Sequence, residues 1–280
     1  MRFGIKTAPM NTTWNDMLDV WREADRIELF ESAWNFDHFE PIFSDRSGPC
    51  LEGWSLLAAM ATATSRIRIG CQVTGMPYRH PSVLANIATT VDVISGGRLI
   101  IGLGAGWNSD ESQALGIDLP PLKERFDRFE EGIQVITALM SEERANFSGR
   151  YFTLDEAYCE PKPIQRPHPP IAIGGNGERR TLRAVARFAQ HWNSVLTDTA
   201  AWQAKREVLR ERCAEVGRDP SEIETSVNLR LEPDADPTSL QRQVEAWREA
   251  GADICIVYLG TPHRASVVAP LAEALAPYLS

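Results

Sequence analysis

Eight times along this chain an apolar run of strand length is followed by a stretch whose apolar residues recur at helical spacing, and that alternation constrains the fold more than any other feature. "RFGIKTA" (2–8) reads as a strand. From Thr13 to about Arg26, Met17, Leu18, Trp21, Ala24 and Ile27 then recur at spacings of three and four, the signature of an amphipathic helix. The pattern repeats with "SAWNF" and "GWSLLAAMATAT", "RIRIGCQVT" and "SVLANIATTVDVIS", and "RLIIGLGAG" with a helix from about Leu122 to Met140. It continues with "IAIGG" and "ERRTLRAVARFA", "HWNSVL" and "AAWQAKREVLRERCAEVG", "IETSVNL" and "PTSLQRQVEAWREAG", and ends on "DICIVYL" and "RASVVAPLAEALAPYL". Strands that alternate with helices pair in parallel. Eight such units in 280 residues predict a closed (β/α)8 barrel, a TIM barrel, with an open doubly wound sheet as the alternative. One domain over 1–280 is expected, with its longest interruption after the fourth strand, roughly 107–169, where "FSGRYF" reads as a short hairpin.

Composition narrows the partners. The 29 basic against 38 acidic residues give a net charge of −9, which argues against nucleic acid or an anionic membrane as partner but leaves room for a local basic pocket; a small-molecule substrate is expected. Cys50, Cys71, Cys159, Cys213 and Cys255 are scattered, with no C-x-x-C pair and no histidine cluster. Neither a disulfide framework nor a metal site is expected. The chain opens on "MRFGIKTAP" without a basic-then-apolar leader. No apolar run approaches the roughly 18–20 residues of a membrane span. A cytoplasmic protein is expected.

In such a barrel the chemistry sits where the strands end. That places His38, Thr74, the "GAGWN" segment and "GGNG" on one rim. Asp37 and His38 close "SAWNFDHF"; a turn explains them blandly, a general acid/base at a cofactor more sharply. In "IAIGGNGERRTL", Gly174, Gly175 and Gly177 lead into a helix starting near Glu178. Glycines before a helix N-terminus suit a phosphate, although a tight turn alone also demands them. The glycines at 102, 104 and 106 are spaced G-x-G-x-G, which is not a dinucleotide fingerprint; small residues there make room for a flat ring. His80 and His168 precede prolines and His191 starts a strand, so packing roles are expected for them; His263 follows the last strand. Arg179, Arg183 and Arg187 share a helix face at i, i+4 spacing, read as solvated, with Arg179 close to the phosphate turn. Asp110–Glu111 has no second carboxylate at glycosidase spacing, and no G-x-S-x-G elbow occurs.

"FDHF" (36–39), the block from Arg66 to Asn108 ending in "GAGWN", "ERFDRFEEGIQVI" (124–136), "FSGRYF" (147–152) and "PKPIQRPHPPIAIGGNGERRTLRAVARFA" (161–189) together resemble the bacterial-luciferase-like superfamily. The resemblance is to its deazaflavin branch, the coenzyme F420-dependent oxidoreductases. It implies a TIM barrel that binds a flavin-shaped ring at the strand ends. The Asp–His pair maps to Asp37 and His38, with His38 in proton transfer and Asp37 orienting it or binding the ring. The strand-three bulge, with a non-proline cis bond, maps to Gln72–Val73, with Thr74 as a hydrogen-bonding neighbour. Ala105 and Gly106 map to the segment after strand four, and Gly174, Gly175, Gly177 and the amides of Glu178 and Arg179 to the phosphate turn. Sugar-phosphate dehydrogenase members carry a catalytic Glu where this chain has Trp107, which implies a more apolar substrate. A homodimer is implied, with an F420 or flavin reductase as electron source. The alternatives are a monooxygenase using reduced FMN from such a partner, and a flavin-binding barrel without turnover.

Overall fold

The strands of the barrel wall are largely buried on both faces because one face meets the barrel interior and the other the helices. All six residues of β5 (Leu99–Gly104) are buried, for example. The computed structural model describes residues 1–279. Around the barrel run β1 (Arg2–Thr7), β2 (Phe30–Asn35), β3 (Arg68–Cys71) with its continuation β4 (Thr74–Gly75), and β5. β6 (Ala145–Ser148) and β7 (Thr153–Ala157) form a separate antiparallel hairpin. β8 (Ile171–Gly174), β9 (His191–Ser194), β10 (Glu224–Leu231) and β11 (Ile254–Leu259) complete the wall. The order is β3-β2-β1-β11-β10-β9-β8-β5-β4, all parallel, and β3 also pairs with β5, which closes the sheet. Since β3 and β4 are two pieces of one wall strand, the eight positions are those of a (β/α)8 barrel, as expected.

The wall helices are α1 (Trp14–Arg26), α2 (Gly53–Ala63), α3 (Pro81–Ser95), and, beyond the short α4 (Ser109–Leu115), α5 (Leu122–Ser141). α6 (Thr181–Phe188), α7 (Thr199–Glu215), α8 (Gln241–Ala250) and α9 (Val268–Leu275) follow. α1 shows why these segments are helical. Thr13 and Asp16 form a reciprocal capping box, and Met17, Val20, Trp21 and Ala24 make one buried stripe. α3 starts on Pro81 and stops at Gly96, φ 69°, a left-handed stop that glycine adopts without cost. α5 packs beside α3, so the stretch 107–169 contains a wall helix rather than a pure interruption. α6 begins at Thr181, three residues later than its sequence pattern predicts, after a turn through 178–180.

Two apolar layers result. Trp34, Ile100, Ala172, Ile254 and Ile256 fill the barrel interior, and a larger layer lies between strands and helices. There Trp192 and Trp202 stack, 5.9 Å apart and 3° from parallel, with Trp247 edge-on. No helix among the described residues is long and apolar enough to cross a membrane.

His191 is 2% exposed, its Nε2 lies 2.6 Å from Ser226 Oγ, and its ring meets Trp34 edge-on. Burial lowers its pKa from 6.5 to about 4. The contribution to stability is therefore present above the unfolded value and is lost as pH falls towards the folded one. His191→Gln is expected to shrink the drop in urea midpoint between about pH 7 and about pH 4.5; an unchanged drop refutes it.

Candidate active site

β2 ends at Asn35, and the next residues turn across the mouth of the barrel. Asp37 is fully buried and held by a two-pronged contact from Arg79, Nη1 to Oδ2 at 2.5 Å and Nη2 to Oδ1 at 2.9 Å. Arg79 also bridges to Glu52. Burial pushes the Asp37 carboxyl up to about 6, although Arg79 and the Thr74 hydroxyl pull it down. Thr74 is buried and accepts the Trp54 indole N–H at 2.8 Å. Thr74 and Asp37 thus brace the rim, and Asp37 does not orient the imidazole.

Glu111 does. His38 is 8% exposed, and its Nδ1 lies 2.9 Å from Glu111 Oε2. The same oxygen accepts the Tyr78 hydroxyl at 2.5 Å, while Oε1 accepts the amides of Phe39 at 2.7 Å and Glu40 at 3.3 Å. Glu111 sits in the first turn of α4, whose N-terminus Asn108 caps. Burial raises the Glu111 carboxyl, but hydrogen bonds from His38, Tyr78 and Phe39 outweigh it and hold the group below its ordinary value. Tyr78 is pushed well above its ordinary value by burial and by donating to Glu111. A carboxylate only accepts, so the neutral imidazole carries its proton on Nδ1. Its Nε2 lone pair is left without a protein partner among the described residues.

Beside this pair stand two exposed aromatics. Trp107 meets His38 edge-on, 5.6 Å between centroids, and is 53% exposed. Phe43 stacks on Trp107 at 5.7 Å and 10°, is 89% exposed, and has φ 58°, a conformation costly for a bulky residue.

The mouth is floored by the junction of β3 and β4, where the Gln72–Val73 peptide is cis, as the resemblance implies. Val73 lies between two glycines of other strands. A Cβ on Gly104 would come within 2.8 Å of Val73 Cγ2, and one on Gly174 within 3.0 Å of Cγ1. A Cβ on Gly102 would occupy the space of the Cys71 carbonyl oxygen. Gly102 and Gly104, read from sequence as room for a ring, therefore make room for the chain's own third strand. Gly106, φ 87°, packs against Pro77, and Ala105 is partly buried against the core. The Gln72 carboxamide is buried with neither its oxygen nor its nitrogen partnered, an expensive arrangement for a folded chain. Lys6 donates to the Gln72 carbonyl at 2.9 Å, and burial lowers its pKa to about 8.

Across the mouth, Gly175 has φ 117°, accepts the Trp192 indole N–H at 2.8 Å and donates to the Asn193 carbonyl. Gly177 packs against Thr181 Oγ1. No side chain caps α6, so the turn keeps the uncapped helix start that an anion site needs. Glu178 pairs with Lys205 at 2.5 Å, and Arg179 is exposed. The other histidines have local duties: His80 caps α3, His168 faces the Pro169 carbonyl, and buried His263 faces that of Ala8. Glu111, Tyr78, Arg79 and Lys6 are the residues sequence reasoning missed. One signal for Glu111 exists, an acidic residue at the third position of a helix capped by Asn108, but nothing in it announces His38.

A family model described as luciferase-like monooxygenase matches residues 1–277. The F420-dependent glucose-6-phosphate dehydrogenase of Microbacterium testaceum (strain StLB037) is 30% identical over 250 residues, 88% of this chain and 73% of that protein. Among solved structures, an F420-dependent secondary alcohol dehydrogenase in complex with an F420-acetone adduct superimposes with a TM-score of 0.87 at 20% identity, covering 100% of this chain and 99% of the other. The coenzyme F420-dependent tetrahydromethanopterin reductase of Methanopyrus kandleri gives 0.84 at 17% identity, covering 100% and 99%.

Proposed function

The chain belongs to the luciferase-like monooxygenase family, and from that membership we propose that it is an F420-dependent oxidoreductase in which His38 manages the proton. The residues fit the cofactor. Val73, set between Gly104 and Gly174, offers an apolar seat for a ring face, and the unpartnered Gln72 carboxamide offers a donor and an acceptor to its polar edge. Gly175, Gly177 and the amides of Glu178 and Arg179 would take the phosphate. When bound, F420 supplies the hydride-exchanging carbon, C5 of its ring.

The protein's own part is proton handling and orientation. His38 Nε2 takes or gives the proton at the substrate oxygen. Glu111 fixes the tautomer and stabilises the imidazolium, and Tyr78 holds Glu111 in register. Asp37 anchors Arg79 and so the loop that carries Tyr78. The observation that carries this reading is the buried Glu111–His38 pair with Nε2 left open on the same rim as Val73.

Trp107 and Phe43 make the substrate side aromatic, so the substrate is a small, apolar organic molecule. Trp107→Ala is expected to raise KM for such a substrate about tenfold with kcat little changed; an unaltered KM assigns that wall elsewhere. The exposed Val83, Val93 and Ile94 of α3 support a homodimer. Tryptophan quenching by F420 and by FMN tests the whole reading: micromolar F420 binding with much weaker FMN supports it, and preference for FMN makes the protein a flavin monooxygenase.

A further inference from the structure

A second concave region lies outside the barrel, between α6 and α7. It encloses about 510 Å³ and is lined by Arg179, Arg183, Arg187 and Arg212, with Glu215 and Val216. Four guanidinium groups in one furrow are conspicuous in a chain of net charge −9. Arg187 is paired with Glu130 and Arg212 with Glu215. No hydrogen bond or ion pair reaches the side chain of Arg179 or Arg183 from any described residue.

The neighbouring Arg180 shows that unpaired arginines are not forced on this segment. It stands at the N-cap of α6 and meets both Asp127 and Glu130. Like charges at this spacing repel, and of the three only Arg187 has a carboxylate partner among the described residues, so Arg179 and Arg183 carry a cost that an anion would relieve. The furrow also has a fixed relation to the glycine turn. Arg179 stands two residues beyond Gly177, and the arginines continue from there along α6. A chain leaving a phosphate held at that turn would meet Arg179 first.

We propose that this furrow binds an oligo-anionic chain, namely the run of glutamyl carboxylates that F420 carries beyond its phosphate. The assignment rests on F420 being the cofactor. Guanidinium groups one helical turn apart present donors to successive carboxylates, and their field concentrates such a ligand at the rim. The furrow gives the protein a hold on the cofactor's tail separate from its hold on the ring.

The test is a fluorescence titration of the apo protein with two ligands that differ only in the tail. One is F420 with several glutamates; the other ends at the phospholactyl group. The wild type is expected to bind the long form about tenfold more tightly, with the preference shrinking at high salt. Arg183→Glu should abolish the preference while leaving the short form's affinity unchanged, and Arg183→Ala should reduce it. Equal binding of the two forms by the wild type overturns the furrow but not the cofactor. So does an equal loss of both forms in Arg183→Glu. Failure of both forms to bind the wild type overturns the cofactor reading and the furrow with it.

Discussion

His38→Ala is expected to lower kcat with F420 and its substrate by about 10²- to 10⁴-fold, the usual worth of a positioned general acid or base. The dissociation constant for F420 should change no more than a few-fold, because in the proposed binding mode Val73 would carry the ring and the glycine turn the phosphate. The size of the effect follows from geometry. Nδ1 is committed to Glu111 at 2.9 Å, so the ring cannot turn its other nitrogen away from the mouth without stranding a buried carboxylate. Glu111→Gln sharpens the case. Its carboxamide keeps one accepting oxygen in place of two, so either His38 Nδ1–H and the Tyr78 hydroxyl together, or the amides of Phe39 and Glu40, lose their acceptor. A drop in kcat of about 10- to 100-fold, with KM nearly unchanged, is expected of such a positioning partner. Should His38→Ala turn over at the wild-type rate, another group moves the proton. Tyr78, 3.3 Å from His38 Nδ1 and less deeply buried than Glu111, is then the candidate.

The second large effect concerns stability. Gly102→Ala should cost on the order of 4 kcal/mol or more, at the far end of single substitutions. The added Cβ would fall on the carbonyl oxygen of Cys71, a backbone atom of the neighbouring wall strand that no rotamer change can move. Gly116→Ala is the control. Its φ of 68° disfavours a side chain, but nothing lies within 4 Å of the added carbon, so about 1–2 kcal/mol is expected. Urea midpoints of the two variants decide it; similar values would mean that the wall yields at Gly102.

The contrast between Gly102 and His38 also shows what is legible in a sequence of this kind. The barrel could be read because wall strands, buried on both faces, appear as unbroken apolar runs such as "RLIIGLG". His38 could be read because a titratable residue following a run of that kind has one place to be. The partners of His38 could not. Glu111 is 73 residues away in a short helix and Tyr78 is 40 away in a loop, and neither element has a periodicity that encodes which way its side chains face. The position of Asp37 at a strand end was legible but not its partner, since Arg79 reaches it from another loop. Gly102 and Gly104 were legible as crowded positions, but identity alone does not reveal whether a ligand or the next strand does the crowding.

Val73, Gly104 and Gly174 have a consequence for how this protein can change over generations. Three separate strands contribute to one small volume, and the valine's two methyl groups occupy what either glycine would need for a side chain. Neither glycine can gain a side chain while Val73 keeps both methyl groups. A larger residue at 104 or 174 becomes tolerable only after Val73 has shrunk, and a shrunken Val73 leaves a gap that invites one. The three behave as a single heritable unit, and because they frame the floor of the mouth, any lineage that repacks them reshapes the pocket in the same step.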